Sequence, residues 1–218
     1  MSMLETKSDT YINPYLVALV VMLPTALEVL DTSIANVVLP YIAGDLGVSV
    51  EKSSWILTCY LVSNAIILPI TGWLSHTLGR KRYFLLSIFV FTLSSLLCGM
   101  STSLNQLLFF RILQGLGGGG LLPLSQAILL EHFPNKKRSI GMGIYGMGVI
   151  LAPIFGPMLG GWIADNYSWH WIFLINIPVG IVSIFLVYTF IQEKAGTAKN
   201  KIKIDYIGLA ILSLGIAA

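Results

Sequence analysis

Hydrophobic residues fall in six long blocks parted by short polar segments: 15–39, 55–74, 83–100, 104–130, 140–164 and 171–191. Each block comes near the roughly 20 residues that a helix needs to cross the hydrocarbon core of a bilayer. A seventh block opens at Ile204 and reaches Ala218, short of a full span. The pattern predicts an all-α membrane protein. Its parts are a tail at 1–14, a six-helix domain at 15–191, a basic linker at 192–203 and an incomplete seventh helix at 204–218.

The polar segments carry the orientation. If each block crosses once, Lys7, Arg80-Lys81-Arg82, Lys136-Lys137-Arg138 and Lys194, Lys199, Lys201 and Lys203 share one side. Lys52 lies on the other side, and Arg111 lies inside the fourth block. Cytoplasmic loops carry the basic excess. The N-terminus and the basic segments are therefore expected in the cytoplasm, with the segments near Asp45, Ser101 and Asp165 outside.

Composition agrees with the blocks. The chain is 56% hydrophobic and only 11% charged, where a soluble domain carries roughly a quarter charged residues. The mean hydropathy is +0.82. A net charge of +3 argues for no nucleic-acid partner, because topology already accounts for the basic residues. The first block is too long for the core of a signal peptide. Cys59 and Cys98 both lie in apolar blocks and predict buried thiols rather than a disulfide framework. His76, His132 and His170 lie at block ends or in loops without metal-ligand spacing. No catalytic nucleophile arrangement is legible, so neither an enzyme, a metal site nor a cofactor is expected.

The chemistry is concentrated in charges inside the apolar blocks. Asp31 lies in the first block, slightly outward of its midpoint. Arg111 lies in the outer half of the fourth, which runs the other way, so the two come to broadly similar depth. Charges in hydrocarbon cost several kcal/mol, turn toward a bundle interior or aqueous cavity, and mark ion or substrate paths. Burial favours a neutral carboxyl and a nearby arginine favours the carboxylate. A site balanced between the two can load and release a proton; the alternative is a static structural ion pair. Glu28 is three residues before Asp31, on the same helical face. It carries the proton, binds a cationic compound, or forms a neutral wall. Glu131, at the cytoplasmic end of its block, reads as solvated.

Glycine and proline are frequent within the blocks, including Pro24, Pro69, Pro123, Pro153, Pro157 and Pro178. Bilayer helices tolerate such residues because neighbouring groups satisfy the freed backbone. The runs Gly115 to Gly120 and Gly141 to Gly146 match G-x-G-x-x-G. That fingerprint requires a preceding strand and a helix start beside water, and both runs lie within apolar blocks. Gly115/Gly119 and Gly156/Gly160 have the G-x-x-x-G spacing of close helix contacts.

Five segments in order resemble the signatures of the major facilitator superfamily. Gly72-Trp73-Leu74-Ser75-His76-Thr77-Leu78-Gly79-Arg80-Lys81 resembles the loop signature G-x-L-[SA]-D-R-x-G-R-[RK]; His76 and Thr77 replace its Asp and Arg. Arg111-Ile112-Leu113-Gln114-Gly115-Leu116-Gly117 resembles R-x-x-Q-G-x-G. Ala152 to Gly161, with Gly156, Pro157, Gly160 and Gly161, resembles the antiporter signature ending G-P-x-x-G-G, with Ala152 in place of a glycine. Leu30 to Pro40 resembles the first-helix signature of the fourteen-helix drug:proton antiporters, and Trp169 to Gly180 completes the set. The pattern covers about Val29 to Gly180 and is similar to the EmrB/QacA multidrug exporters.

The resemblance implies the N-terminal six-helix bundle of such a transporter, made of two inverted three-helix repeats, followed by the start of a seventh helix. It implies a multidrug efflux transporter in the bacterial inner membrane, exporting hydrophobic or cationic compounds in exchange for protons. Asp31, Arg111 and Glu28 are the proton-coupling candidates. Glu28, Asn36 and Gln114 are the substrate-cavity candidates. Gly72, Gly79, Arg80, Lys81, Gly156, Pro157, Gly160 and Gly161 belong to the conformational motifs. The implied partners are small-molecule substrates, protons, the lipid bilayer and a second transporter half, with a periplasmic adaptor and outer-membrane channel where the host has two membranes. Two other readings remain: a truncated, non-transporting membrane fragment, and a proton-coupled transporter of one metabolite.

Overall fold

The computed structural model describes residues 13–192; the tail before residue 13, the linker and the seventh block lie outside them. The helices are α1 (Pro14–Asp45), α2 (Val50–Ser53), α3 (Trp55–Leu78), α4 (Arg80–Gly99), α5 (Leu104–Gly118), α6 (Leu121–His132), α7 (Arg138–Asn166), α8 (Trp171–Leu174) and α9 (Asn176–Phe190). They supply six helices long and apolar enough to cross a membrane, with α2–α3, α5–α6 and α8–α9 each making one span.

Local chemistry sets the ends. Asn13 caps α1 by accepting from the Tyr15 N–H at 3.0 Å, with Pro14 in the first turn. The helix then runs past the expected end near Leu39 and through Pro40. It stops where Gly47 takes φ +63° and its N–H and that of Val48 return to the carbonyls of Gly44 and Ala43. This glycine-terminated closure satisfies carbonyls that the helix end would orphan. Gly79, at φ +89°, makes the one-residue turn between α3 and α4, a conformation that side-chain-bearing residues rarely adopt.

The prolines do not all interrupt. Pro24, Pro40, Pro69, Pro153 and Pro157 lie inside continuous helices. The breaks at Gly119–Gly120 and Ile175 come shortly before Pro123 and Pro178, whose missing N–H groups remove a bond to the carbonyl four residues earlier. Pro157 likewise leaves the Pro153 carbonyl without its intrahelical donor, and Ser33 of α1 donates to that carbonyl at 3.2 Å.

The long α1 is central and packs against α6, α7 and α9; α5 packs between α3 and α4. Glycine lets these helices approach. A Cβ on Gly160 would lie 3.3 Å from Ile34 Cα of α1, and one on Gly115 or Gly119 would run into the α3 backbone at Tyr60 or Asn64. Both G-x-x-x-G pairs are therefore helix contacts. Large apolar side chains such as Leu86, Phe89, Phe109, Ile181 and Phe185 stay exposed, as suits helices whose outer faces meet lipid rather than water.

Two apolar cores result. One, near the basic end, includes Val20, Leu27, Phe84, Phe91, Ile128 and Phe133. The other, toward the opposite end, includes Ile34, Ile42, Ile56, Leu107, Ile163 and Phe173. Between them lies a layer of buried polar side chains.

Candidate functional site

Asp31 sits at the centre of the polar layer, 2% exposed, beside the fully buried Arg111. The helix spacing that aligns Arg111 and Gln114 on one face of α5 turns both toward it. Arg111 Nη1 donates to Asp31 Oδ2 at 2.6 Å and to Gln114 Oε1 at 2.7 Å. Asp31 Oδ1 accepts from Gln114 Nε2 at 3.2 Å and from Asn176 Nδ2 at 2.6 Å. Asn176 Nδ2 also reaches Ser95 Oγ at 2.9 Å, and Ser95 donates to the Phe173 carbonyl. The Arg111 Nε donates to the Ile56 carbonyl at 3.3 Å. Its Nη2 has no hydrogen-bond partner, but the guanidinium lies 4.2 Å from the Tyr60 ring centroid and 5.5 Å from that of Phe173. Aromatic faces attract a desolvated cation. One carboxylate thus ties α1 directly to α5 and α9, and through Asn176 and Ser95 to α4.

Glu28 lies one turn away and has a different setting. Its Oε1 accepts from Asn64 Nδ2 at 2.9 Å and from the Tyr60 hydroxyl at 3.3 Å. Its Oε2 is buried without a partner. Glu28 also borders a cavity of about 580 Å³, with Thr32, Ser33, Asn36, Tyr60 and Asn64 among its polar lining. The cavity contains no Lys or Arg in its wall. A single carboxyl in an otherwise neutral polar and apolar wall suits a cation or a neutral hydrogen-bond donor.

The candidate residues therefore separate into two groups. Glu28 and Asn36 line the cavity. Gln114, also expected there, is fully buried in the Asp31–Arg111 network instead. Three residues that sequence reasoning passed over join the site: Tyr60, Asn64 and Asn176. Their available signal was a polar side chain in an apolar block.

The loop motif has a clear geometry at the basic end. Arg80, in the first turn of α4, forms an ion pair with Glu131 at the end of α6. Glu131 is thus a partnered, half-buried residue rather than a solvated one. Lys81 Nζ donates to the Tyr188 carbonyl of α9 at 2.7 Å. Thr77 turns back to the carbonyls of Trp73 and Leu74. Gly72 and Gly161 face open space, whereas Gly156 abuts Ser33 and Ile34 of α1. Among the described residues no group of His, Cys, Asp and Glu could hold a metal ion.

A six-helix membrane bundle with a buried charge network beside a polar cavity is the build of a secondary transporter. The chain belongs to the major facilitator superfamily, whose family model matches residues 21–216. It is 46% identical over 196 residues to the multidrug export protein EmrB of Escherichia coli K12, covering 90% of this chain and 38% of that protein. It is 42% identical over 192 residues to the fatty acid resistance protein FarB of Neisseria gonorrhoeae, covering 88% of this chain and 38% of that protein. The chain thus spans well under half the length of these relatives. The fold is shared with a solved peptide transporter, POT, at a TM-score of 0.73 and 17% identity, over 92% of this chain and 44% of that one. The chain is a multi-pass integral membrane protein.

Proposed function

We propose that this chain is the N-terminal part of a proton-coupled multidrug exporter. It forms one wall of a path for hydrophobic or cationic compounds across the bacterial inner membrane. The observation that carries this reading is the adjacency of the Asp31–Arg111 pair to the Glu28 cavity, one helical turn apart. The likeness to EmrB supports it. A second six-helix unit supplies the opposite wall of the path, since transporters of this build bind substrate between their halves. The site binds and translocates; it performs no covalent chemistry on its substrate.

FarB is named for fatty acids, which offers an anionic alternative. The cavity wall favours cations, because it presents Glu28 and no basic side chain. The basic end, where Arg80–Glu131 and Lys81–Tyr188 lock the helices together, faces the cytoplasm by the distribution of Lys and Arg. At the opposite end a periplasmic adaptor and an outer-membrane channel carry the exported compound onward in a two-membrane host.

The test is transport by the full-length protein in proteoliposomes under an imposed proton gradient, with a hydrophobic organic cation as substrate. Gradient-dependent accumulation is expected, and Asp31→Asn abolishes it. Accumulation that ignores the gradient, or survives Asp31→Asn at the wild-type rate, overturns the reading. Uptake of a fatty acid anion in preference to the cation favours the second substrate class.

A further inference from the structure

We propose that the exchangeable proton of this site is carried by Glu28, with Asp31 serving as the fixed counter-ion of Arg111, and that Tyr60 couples the two. This rests on the transport reading above and assigns its parts.

Hydrogen-bond bookkeeping supports the division. Both oxygens of Asp31 accept from strong donors, and one accepts from the guanidinium. An added proton there would displace Arg111, Gln114 or Asn176, each of them buried. Removing one member of a buried ion pair leaves the other uncompensated, which is strongly unfavourable. Glu28 is asymmetric. Oε1 accepts twice and Oε2, buried, accepts nothing. An ionised carboxylate shares its charge over both oxygens, so an orphaned buried oxygen is costly. A carboxylic acid has one accepting carbonyl oxygen, which matches Oε1, and one neutral hydroxyl, which costs less to leave buried without a partner than a share of negative charge does. Release takes the proton from Glu28 to water in the cavity that this residue borders. A monovalent organic cation then balances the carboxylate left behind, so one proton leaves for each cation that enters.

The ionisable groups around Glu28 come from each neighbouring element: Asp31 on α1, Tyr60 on α3 and Tyr145 on α7. Arg111 of α5 stands behind the Tyr60 ring. Tyr60 touches both sides of the system. Its hydroxyl donates to Glu28 Oε1 and its ring covers the Arg111 guanidinium. The side chain is 1% exposed. It is accommodated by the glycine face of α5, where a Cβ on Gly118 would lie 2.7 Å from the Tyr60 hydroxyl. A change in the charge of Glu28 therefore reaches Arg111 through one rigid side chain. Tyr60 is a positioning residue in this scheme.

The experiment is labelling of the purified full-length protein with dicyclohexylcarbodiimide, which modifies protonated carboxyls in apolar surroundings, followed by peptide mass spectrometry. Adduct on Glu28 is expected in at least tenfold excess over Asp31, and tetraphenylphosphonium protects it. Adduct mainly on Asp31, or on neither residue, overturns the assignment. This readout needs no transport. Labelling of Glu28 in a protein that shows no gradient-driven export sinks the transport reading while keeping the proton site. For Tyr60, proteoliposome assays compare gradient-driven accumulation with downhill exchange of the same cation. Tyr60→Phe keeps the ring over Arg111 and loses the hydroxyl. It should lower accumulation about tenfold more than exchange, and this difference should vanish in a Glu28→Gln background. Equal losses in both assays, or wild-type behaviour, overturn the coupling role.

Discussion

Glu28 and Asp31 are carboxyls one turn apart on the same helix, and the bundle treats them in opposite ways. Asp31 is surrounded by donors from α5 and α9, so its two oxygens are filled. Glu28 is held from α3 alone, by one oxygen, at the edge of a cavity. The spacing along α1 makes them neighbours, but the facing helices decide what each can do. A carboxylate whose charge is fully met by protein holds the bundle together. One that is partly met can change its charge without dismantling the packing. Under the proposal above, the same layer of the membrane contains a structural ion and a responsive one.

The largest effect should come from breaking the Asp31 side of this contrast. Arg111→Gln removes the cation and leaves a buried carboxylate with neutral donors only. A loss of about 3–5 kcal/mol is expected for an orphaned buried charge, read as a drop in thermal unfolding temperature of the purified protein. Asp31→Asn in the same chain removes the orphan, so the double variant should be more stable than Arg111→Gln alone. If the single and double variants unfold alike, the pair does not hold the bundle together.

Asn176→Ala sharpens the comparison at a smaller scale. It deletes a donor to Asp31 Oδ1 and the link to Ser95, while Gln114 still reaches that oxygen. Loss of a hydrogen bond to a buried charged group costs about 2 kcal/mol. Asn176→Asp should be worse, because it sets two carboxyls against each other. Equal stability of the two variants would mean that Asp31 does not feel the side chain at 176.

On the Glu28 side, Gly118→Ala presses a methyl group toward the Tyr60 hydroxyl, 2.7 Å from the added carbon. Overpacking a filled interior starts at about 1 kcal/mol, and a tyrosine end can shift to relieve it. The fold should persist while the Tyr60–Glu28 hydrogen bond lengthens. Gradient-driven export by the full-length protein should fall several-fold. Full export by Gly118→Ala would show that this hydrogen bond is not needed.

How much of this contrast could be read in the amino-acid order follows from what each residue type costs in a bilayer. Asp31 and Arg111 stand out because charges are rare in apolar blocks, and opposite charges at one depth imply a partner. Glu28 stands out for the same reason, but its role does not, since the deciding contacts come from Tyr60 and Asn64. Those two, like Asn176, are neutral polar residues, and apolar spans contain many such residues that only bond to their own helix. Ser63 and Ser183 do that here. Gln114 was expected in the cavity, but one helical face carries it inward together with Arg111. The six blocks were legible from length and composition. Their ends were not, because α1 continues through Pro40 until Gly47 turns the chain. The Arg80–Glu131 pair was missed because it joins residues far apart in sequence whose loops each read as solvated.

The smallest expected change in stability is the one that tests the contrast most directly. Glu28→Gln replaces the carboxyl by an amide of the same shape. The amide oxygen can accept from Tyr60 and Asn64 as Oε1 does now. Its nitrogen takes the place of Oε2, which has no partner to lose. Because a neutral carboxyl and an amide present nearly the same hydrogen-bonding surface to these neighbours, stability should move by no more than about 1 kcal/mol. The same replacement at Asp31, Asp31→Asn, leaves Arg111 buried beside a neutral group and should cost about 3–5 kcal/mol. Thermal unfolding of the two variants, measured side by side in the full-length protein, reads the ratio. Equal destabilisation would mean that Glu28 is charged and structural as well, and the distinction between the two carboxyls would fail.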